Sequence, residues 1–342
     1  LASLCYRLLL VEIIIRNMLY ESQSRIERLC PWKFMRLILA PMEGIADHSL
    51  RDILTRIGGI DLCVAEFVRV TNHLLTGKML LRTVPELTNG GCTSAGVPVR
   101  VQLLGSDPVC LAENAALVAS LGAPGIDINF GCPAPMVNRH GGGAVLLQFP
   151  EQIYAIVNAI RRAVPQHIPV TAKMRLGLSD TSQALDCARA IEAGGADEIT
   201  VHARTRADSY RPPARWEWLA YIREAVKLPV VANGEVWTPA DSEAIRRISG
   251  CTDIMIGRGA IIRPDLMRCI KSGDAAMNWP ELLPWIIDYY QQLCGKMEPR
   301  HAPGRLKQWL GMMRATYPEA ETLYRRLRTE RDPFAVGRML VS

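Results

Sequence analysis

From Arg36 onward, short runs of β-branched and aliphatic residues alternate with longer stretches whose apolar positions recur every three to four residues. Continuous apolar runs suit strands buried on both faces, and the longer period suits helices packed over them. The strands predicted are Leu37–Ala40, Leu62–Glu66, Val99–Leu103, Gly125–Asn129, Val170–Arg175, Glu198–His202, Val230–Asn233 and Asp253–Ile256. Helices are predicted between them, among others at Pro108–Leu121, Pro150–Val164, Thr181–Ala193, Trp216–Val226 and Pro239–Ile248. Several open on proline, whose missing N–H costs nothing in a first turn. Eight such units predict an α/β fold, a closed (β/α)8 TIM barrel. An open doubly wound sheet would carry G-x-G-x-x-G after its first strand, where this chain has Ala40-Pro-Met-Glu-Gly44. The strand pattern stops near residue 277, and Trp279–Leu293, Gly304–Thr316 and Pro318–Thr329 read as amphipathic helices. The expected organisation is an extension outside the folded core at 1–34, a barrel at 35–277 and a small helical domain at 278–342.

Composition narrows the class only slightly. With 49% hydrophobic and 22% charged residues among 342, the chain is an ordinary globular one, not a disordered or collagenous one. No stretch reaches the ~20 apolar residues of a membrane span. Leu8–Ile15 is short, is interrupted by Glu12 and has no convincing cleavage site after it, so 1–34 does not read as an export signal. The net charge of +6 is unevenly placed. Residues 300–342 hold nine Lys/Arg against four Asp/Glu, whereas 35–299 hold 26 against 27. That asymmetry suits a polyanion-binding face, although a solvated helical surface would look the same. The ten cysteines form no C-x-x-C pair, which argues against zinc and dithiol chemistry and for buried, reduced thiols.

Chemistry gathers at the carboxyl ends of the strands, where a barrel of this kind builds its active site. There stand Pro41-Met42-Glu43, Glu66 and Arg69, Gln102, Asn129 to Cys132, Lys173, His202, Asn233-Gly234-Glu235 and Gly257-Arg258. A single His or Lys at a strand end would ordinarily be structural; a whole ring of polar ends points to a site. Gly257-Arg258-Gly259, after the last strand and before a helix, suits a phosphate, with Arg258 closing on it. Cys132, in Asn129-Phe-Gly-Cys-Pro133 ahead of Gly141-Gly-Gly143, is placed for reaction. An ordinary thiol pKa of about 8.5 leaves it protonated near neutrality and able to act as an acid.

Ala40-Pro-Met-Glu-Gly44, Val101-Gln-Leu-Leu-Gly105, Asn129-Phe-Gly-Cys-Pro133, Gly141-Gly-Gly-Ala144, Lys173-Met-Arg-Leu-Gly177, Val201-His-Ala-Arg-Thr205, Ala232-Asn-Gly-Glu235 and Ile256-Gly-Arg-Gly259 resemble the tRNA-dihydrouridine synthases. The match runs from Met35 to near the C-terminus, in the family's order. Glu66-Phe-Val-Arg-Val70 and Arg305-Leu-Lys-Gln-Trp309 resemble the bacterial C-type, which acts at position 16. The resemblance implies a cytoplasmic, monomeric flavin-dependent oxidoreductase that reduces the C5–C6 bond of a D-loop uridine. FMN would be bound, NADPH would be the reductant, and no metal would take part. Pro41, Met42, Glu43, Gln102, Lys173, His202, Asn233, Gly234, Glu235, Gly257 and Arg258 would hold FMN, and Cys132 would be the proton donor. Asn129 would face the uracil, while Arg69, Arg204, Arg305, Lys307 and Arg328 would contact tRNA. Phe130, where a small or polar residue is expected, and Met312, where the C-type has Tyr, depart from the pattern. The alternatives are an FMN barrel reducing a free pyrimidine or enoate, and a catalytically dead RNA-binding scaffold.

Overall fold

The computed structural model describes residues 35–341; the expected extension at 1–34 lies outside the described residues. Nine short strands are β1 (Leu37–Leu39), β2 (Leu62–Val64), β3 (Val68–Arg69), β4 (Val99–Leu104), β5 (Ile126–Phe130), β6 (Val170–Arg175), β7 (Glu198–His202), β8 (Val230–Asn233) and β9 (Ile254–Ile256). All pair in parallel, β1 with both β2 and β9, and β2 with β4, so the sheet closes into an eight-position barrel.

The ninth strand comes from a break in the expected Leu62–Glu66. Val64 pairs with Arg100 but Val68 with Leu103, so this chain spends one residue more than β4 over the same span. Such an extra residue bends a strand and re-aims its side chains, as a bulge does. Glu66 leaves the ladder to accept a hydrogen bond from the Gly44 N–H, and Phe67 turns into the barrel mouth. Elsewhere the strands agree with expectation to within one residue.

Alternate residues of parallel strands point inward, and here the interior is divided. Ile38, Ala40, Leu62, Val64, Val231 and Met255 form an apolar cluster on one side. Arg100, Gln102, Asp127, Asn129, Thr171, Arg175, Glu198, Thr200 and His202 are the buried polar residues of β4 to β7 on the other. At the amino end Glu198 accepts from Arg100 at 2.6 Å and pairs with Arg36, which also holds Asp253. A buried carboxylate between two guanidiniums is held below the usual carboxylate range despite its burial.

After β9 the chain is helical, with Trp279–Lys296, Ala302–Met313, Pro318–Leu327 and a final Pro333–Val341 that the sequence pattern did not suggest. An Asn278–Glu281 capping box starts the first of these. The 302–313 helix docks through Trp309, which is 1% exposed and donates from Nε1 to the Ile261 carbonyl at 3.0 Å. Its ring packs edge-on to Tyr289, 4.9 Å between centroids. No helix among the described residues is long and apolar enough to cross a membrane.

Candidate active site

A cavity of about 550 Å³ opens at the carboxyl ends of the strands. All eleven expected cofactor residues line it, as do Cys132 and Asn129. Lys173, inward on β6, donates to Asn233 Oδ1 at 3.0 Å, and Asn233 Nδ2 donates to the Met255 carbonyl at 2.8 Å. Burial, reinforced by Arg175, lowers the Lys173 pKa to about 8. Burial and the cations Arg175, Lys173, Arg204 and Arg258 hold His202 well below its ordinary pKa. Its Nε2, 3.3 Å from Arg204 Nη1, is therefore the acceptor of a neutral imidazole.

The cysteine loop is fastened from three directions. Asn129 Oδ1 accepts from the N–H of Gly131 at 2.9 Å and of Cys132 at 2.8 Å. Asn138 Nδ2 donates to the Cys132 carbonyl at 2.8 Å. Gly143 sits at φ +67°, and a Cβ there would lie 2.8 Å from the same carbonyl, so the third glycine of the Gly141-Gly-Gly143 run is demanded by close approach. Burial raises the Cys132 pKa, keeping a thiol that still reaches the cavity in its protonated form.

On the opposite wall, Gly259 admits no side chain, because a Cβ would stand 2.2 Å from the Val236 carbonyl. The turn after β9 is thus pressed against the loop after β8. Glu235 occupies the left-handed region at φ +61°, unusual for a non-glycine residue, and is pinned by Arg204 Nη2 at 2.7 Å and the Ala214 N–H. The Arg258 guanidinium lies between the Tyr210 and Trp237 rings, 4.5 and 5.0 Å from their centroids.

The residues expected to meet tRNA are dispersed. Arg204 is 1% exposed and bound to Glu235 and the Arg211 carbonyl, so it braces the cavity wall and presents nothing to a macromolecule. Arg305 pairs with Asp47 at 2.5 Å and donates to the Gly44 carbonyl. Lys307 donates to the Glu330 carbonyl at 2.8 Å. Arg69 is half-buried at the end of β3, and Arg328 is exposed at the end of the 318–327 helix. Tyr210, Trp237, Phe67 and Arg175 line the cavity without having been singled out. Arg175 had a signal, two positions beyond Lys173 on the same inward face; the others stand in segments without periodicity.

The dihydrouridine synthase (Dus) family model matches residues 38–316. The chain belongs to the dihydrouridine synthase family. It is 55% identical over 311 residues to a tRNA-dihydrouridine(16) synthase of Aquipseudomonas alcaligenes, covering 90% of this chain and 99% of that protein. Proteins of the same name from Pseudomonas putida and Cupriavidus necator are 53% and 52% identical, over 90% and 89% of this chain and 96% of each relative. Among solved structures, a histamine dehydrogenase from Rhizobium matches with a TM-score of 0.56 at 15% identity, over 75% of this chain and 48% of that one. An old yellow enzyme homologue from Zymomonas mobilis matches with 0.51 at 12%, over 71% and 90%. These two share the barrel. Family membership makes the chain an oxidoreductase.

Proposed function

We propose that the chain reduces the C5–C6 double bond of uridine 16 in the tRNA D-loop to dihydrouridine, using bound FMN recharged by NADPH. One observation carries the reading: a protonated, loop-anchored thiol shares a cavity with a buried ammonium, a guanidinium and amide N–H donors. That donor set fits a flavin mononucleotide, which offers carbonyl acceptors at its pyrimidine edge and a phosphate at its far end. Gln102 and Lys173 would hold the pyrimidine edge. The turns at Asn233–Glu235 and Gly257-Arg258 would take the phosphate, with His202 beside them and Pro41–Glu43 against the ring. FMN, when bound, supplies the hydride that is added to C6 of the base.

The side chains provide the rest. The Cys132 Sγ–H gives its proton to C5 as negative charge develops there, and the thiolate regains a proton from solvent. Its raised pKa suits an acid that must be loaded at neutral pH. The Lys173 ammonium would lower the energy of anionic charge on a flavin held there. Asn129, whose Oδ1 is committed to the cysteine loop, would meet the uracil through an N–H. A uridine inside a folded tRNA reaches a barrel mouth only when flipped from its stack, and basic residues beyond the mouth would hold the phosphates. The reading carries with it a cytoplasmic, monomeric enzyme.

Cys132→Ala is expected to bind FMN and tRNA normally yet form no dihydrouridine; near-normal turnover would remove the thiol from the mechanism. Mass-spectrometric mapping of tRNA from cells lacking this chain should show dihydrouridine lost at position 16 alone. Loss at position 17 or 20 would refute the site.

A further inference from the structure

The barrel interior holds a carboxylate that the proposed reaction leaves unused. Asp127, 2% exposed on β5, stands in register between Gln102 of β4 and Thr171 of β6. The Thr171 hydroxyl donates to Asp127 Oδ1 and Gln102 Nε2 donates to Oδ2, both at 2.6 Å. Asp127 Oδ2 accepts, so the nitrogen end of the Gln102 amide faces it. Gln102 Oε1 is thereby left to accept from Asn129 Nδ2 at 2.8 Å. Asn129 Oδ1 is then left for the Gly131 and Cys132 N–H groups. Each bond decides the next. The Gly131 and Cys132 N–H groups can only donate, so the pair of amides is held in this direction from both ends, by the carboxyl at Gln102 and by the loop at Asn129.

We propose that Asp127 is the positioning residue of the site: it orients the Gln102 and Asn129 amides and through them anchors the loop that carries Cys132. The same orientation leaves each amide one N–H for the cavity that both residues line, so the ligand there meets donors and must bring acceptors. This deepens the reaction proposed above and rests on Cys132 as its proton source. Burial, the largest influence, holds the Asp127 carboxyl above its usual range against the pull of its two donors and of Arg100 and Lys173.

Asp127→Asn keeps the shape but can offer a donor or an acceptor. The readout is iodoacetamide alkylation of Cys132, followed by peptide mass spectrometry on the full-length protein, both FMN-loaded and stripped. Losing the anchor of a 9% exposed thiol is expected to speed its alkylation about five-fold or more, the equivalent of roughly one hydrogen bond. Half-buried Cys92 and Cys294 should keep their wild-type rates. The double variant D127N/Q102E restores an acceptor-only group opposite Asn129 Nδ2, and the stripped protein should return to within about two-fold of wild type. The proposal is overturned by an unchanged Cys132 rate in D127N, by an equal rise at Cys92 and Cys294, or by no recovery in the double variant. A D127N chain that does not fold also counts against it, since the barrel must accept the isosteric amide. None of these outcomes bears on whether Cys132 donates the proton, which the Cys132→Ala assay reads separately.

Discussion

Lys173 is a cation buried inside a barrel, with Asp127 as the carboxylate that favours its charge and Arg175 opposing it. Its pKa near 8 against an ordinary 10.5 means that between those values the unfolded chain binds more protons than the folded one. Stability contributed by this group therefore rises as pH increases from about 8 toward 10.5. In flavin-free protein, the calorimetric Tm of wild type should gain on that of Lys173→Met across this window, and parallel profiles would contradict the burial. Loading FMN should shrink the gain, because carbonyl oxygens accepting from the ammonium would favour its charged form. The strand-end residues were legible because a barrel offers only one end of each strand to chemistry. Arg204 shows the reach of that rule: its motif sits at a strand end, and folding turns the side chain into the wall against Glu235, which no one-dimensional pattern records.

One helix ties two loops of the cavity together. Within Ala302–Met313, Arg305 grips the first βα loop through Gly44, Ile45 and Asp47, and Trp309 grips the helix Arg258–Ile262 after β9. Those loops carry Met42-Glu43 and Gly257-Arg258, so under the proposed function Arg305 would act first on the cofactor site and only second on RNA. Arg305→Ala should raise the FMN Kd roughly three- to ten-fold in a flavin-fluorescence titration, about the net worth of one ordinary hydrogen bond. It should leave the salt dependence of tRNA binding nearly intact; the opposite pattern would restore Arg305 as a tRNA grip. The eight barrel strands were readable because parallel strands buried on both faces appear as unbroken apolar runs. The break after Val64 was not, since one inserted residue leaves the hydrophobic run intact. The final helix Pro333–Val341 follows Glu330-Arg-Asp332, a polar stretch that reads as a chain end.

At the scale of the molecule, the charge excess of residues 300–342 separates into two groups. Arg305 and Lys307 are half-buried and bonded to the protein itself. Arg300, Arg314, Arg325, Arg326, Arg328, Arg331 and Arg338 are exposed. The sequence could locate this excess but not sort it, because exposure depends on how the helices pack. We read 35–277 as the FMN-binding barrel and 278–342 as the tRNA-binding part, with the exposed arginines as its grip. A residue that neutralises one phosphate releases about 0.7–0.9 of a counterion, so its removal lowers the slope of log K against log salt by that amount. Arg328→Ala with Arg331→Ala should therefore flatten the slope for tRNA by about 1.4–1.8, if each meets one phosphate, while FMN affinity stays at the wild-type value. Both residues are exposed and neither lines the cavity, so a change in flavin binding would expose a folding defect. An unchanged slope would move the RNA grip off this end of the helical segment and onto the barrel mouth, where Arg139, Arg206 and Arg211 would be the next residues to replace.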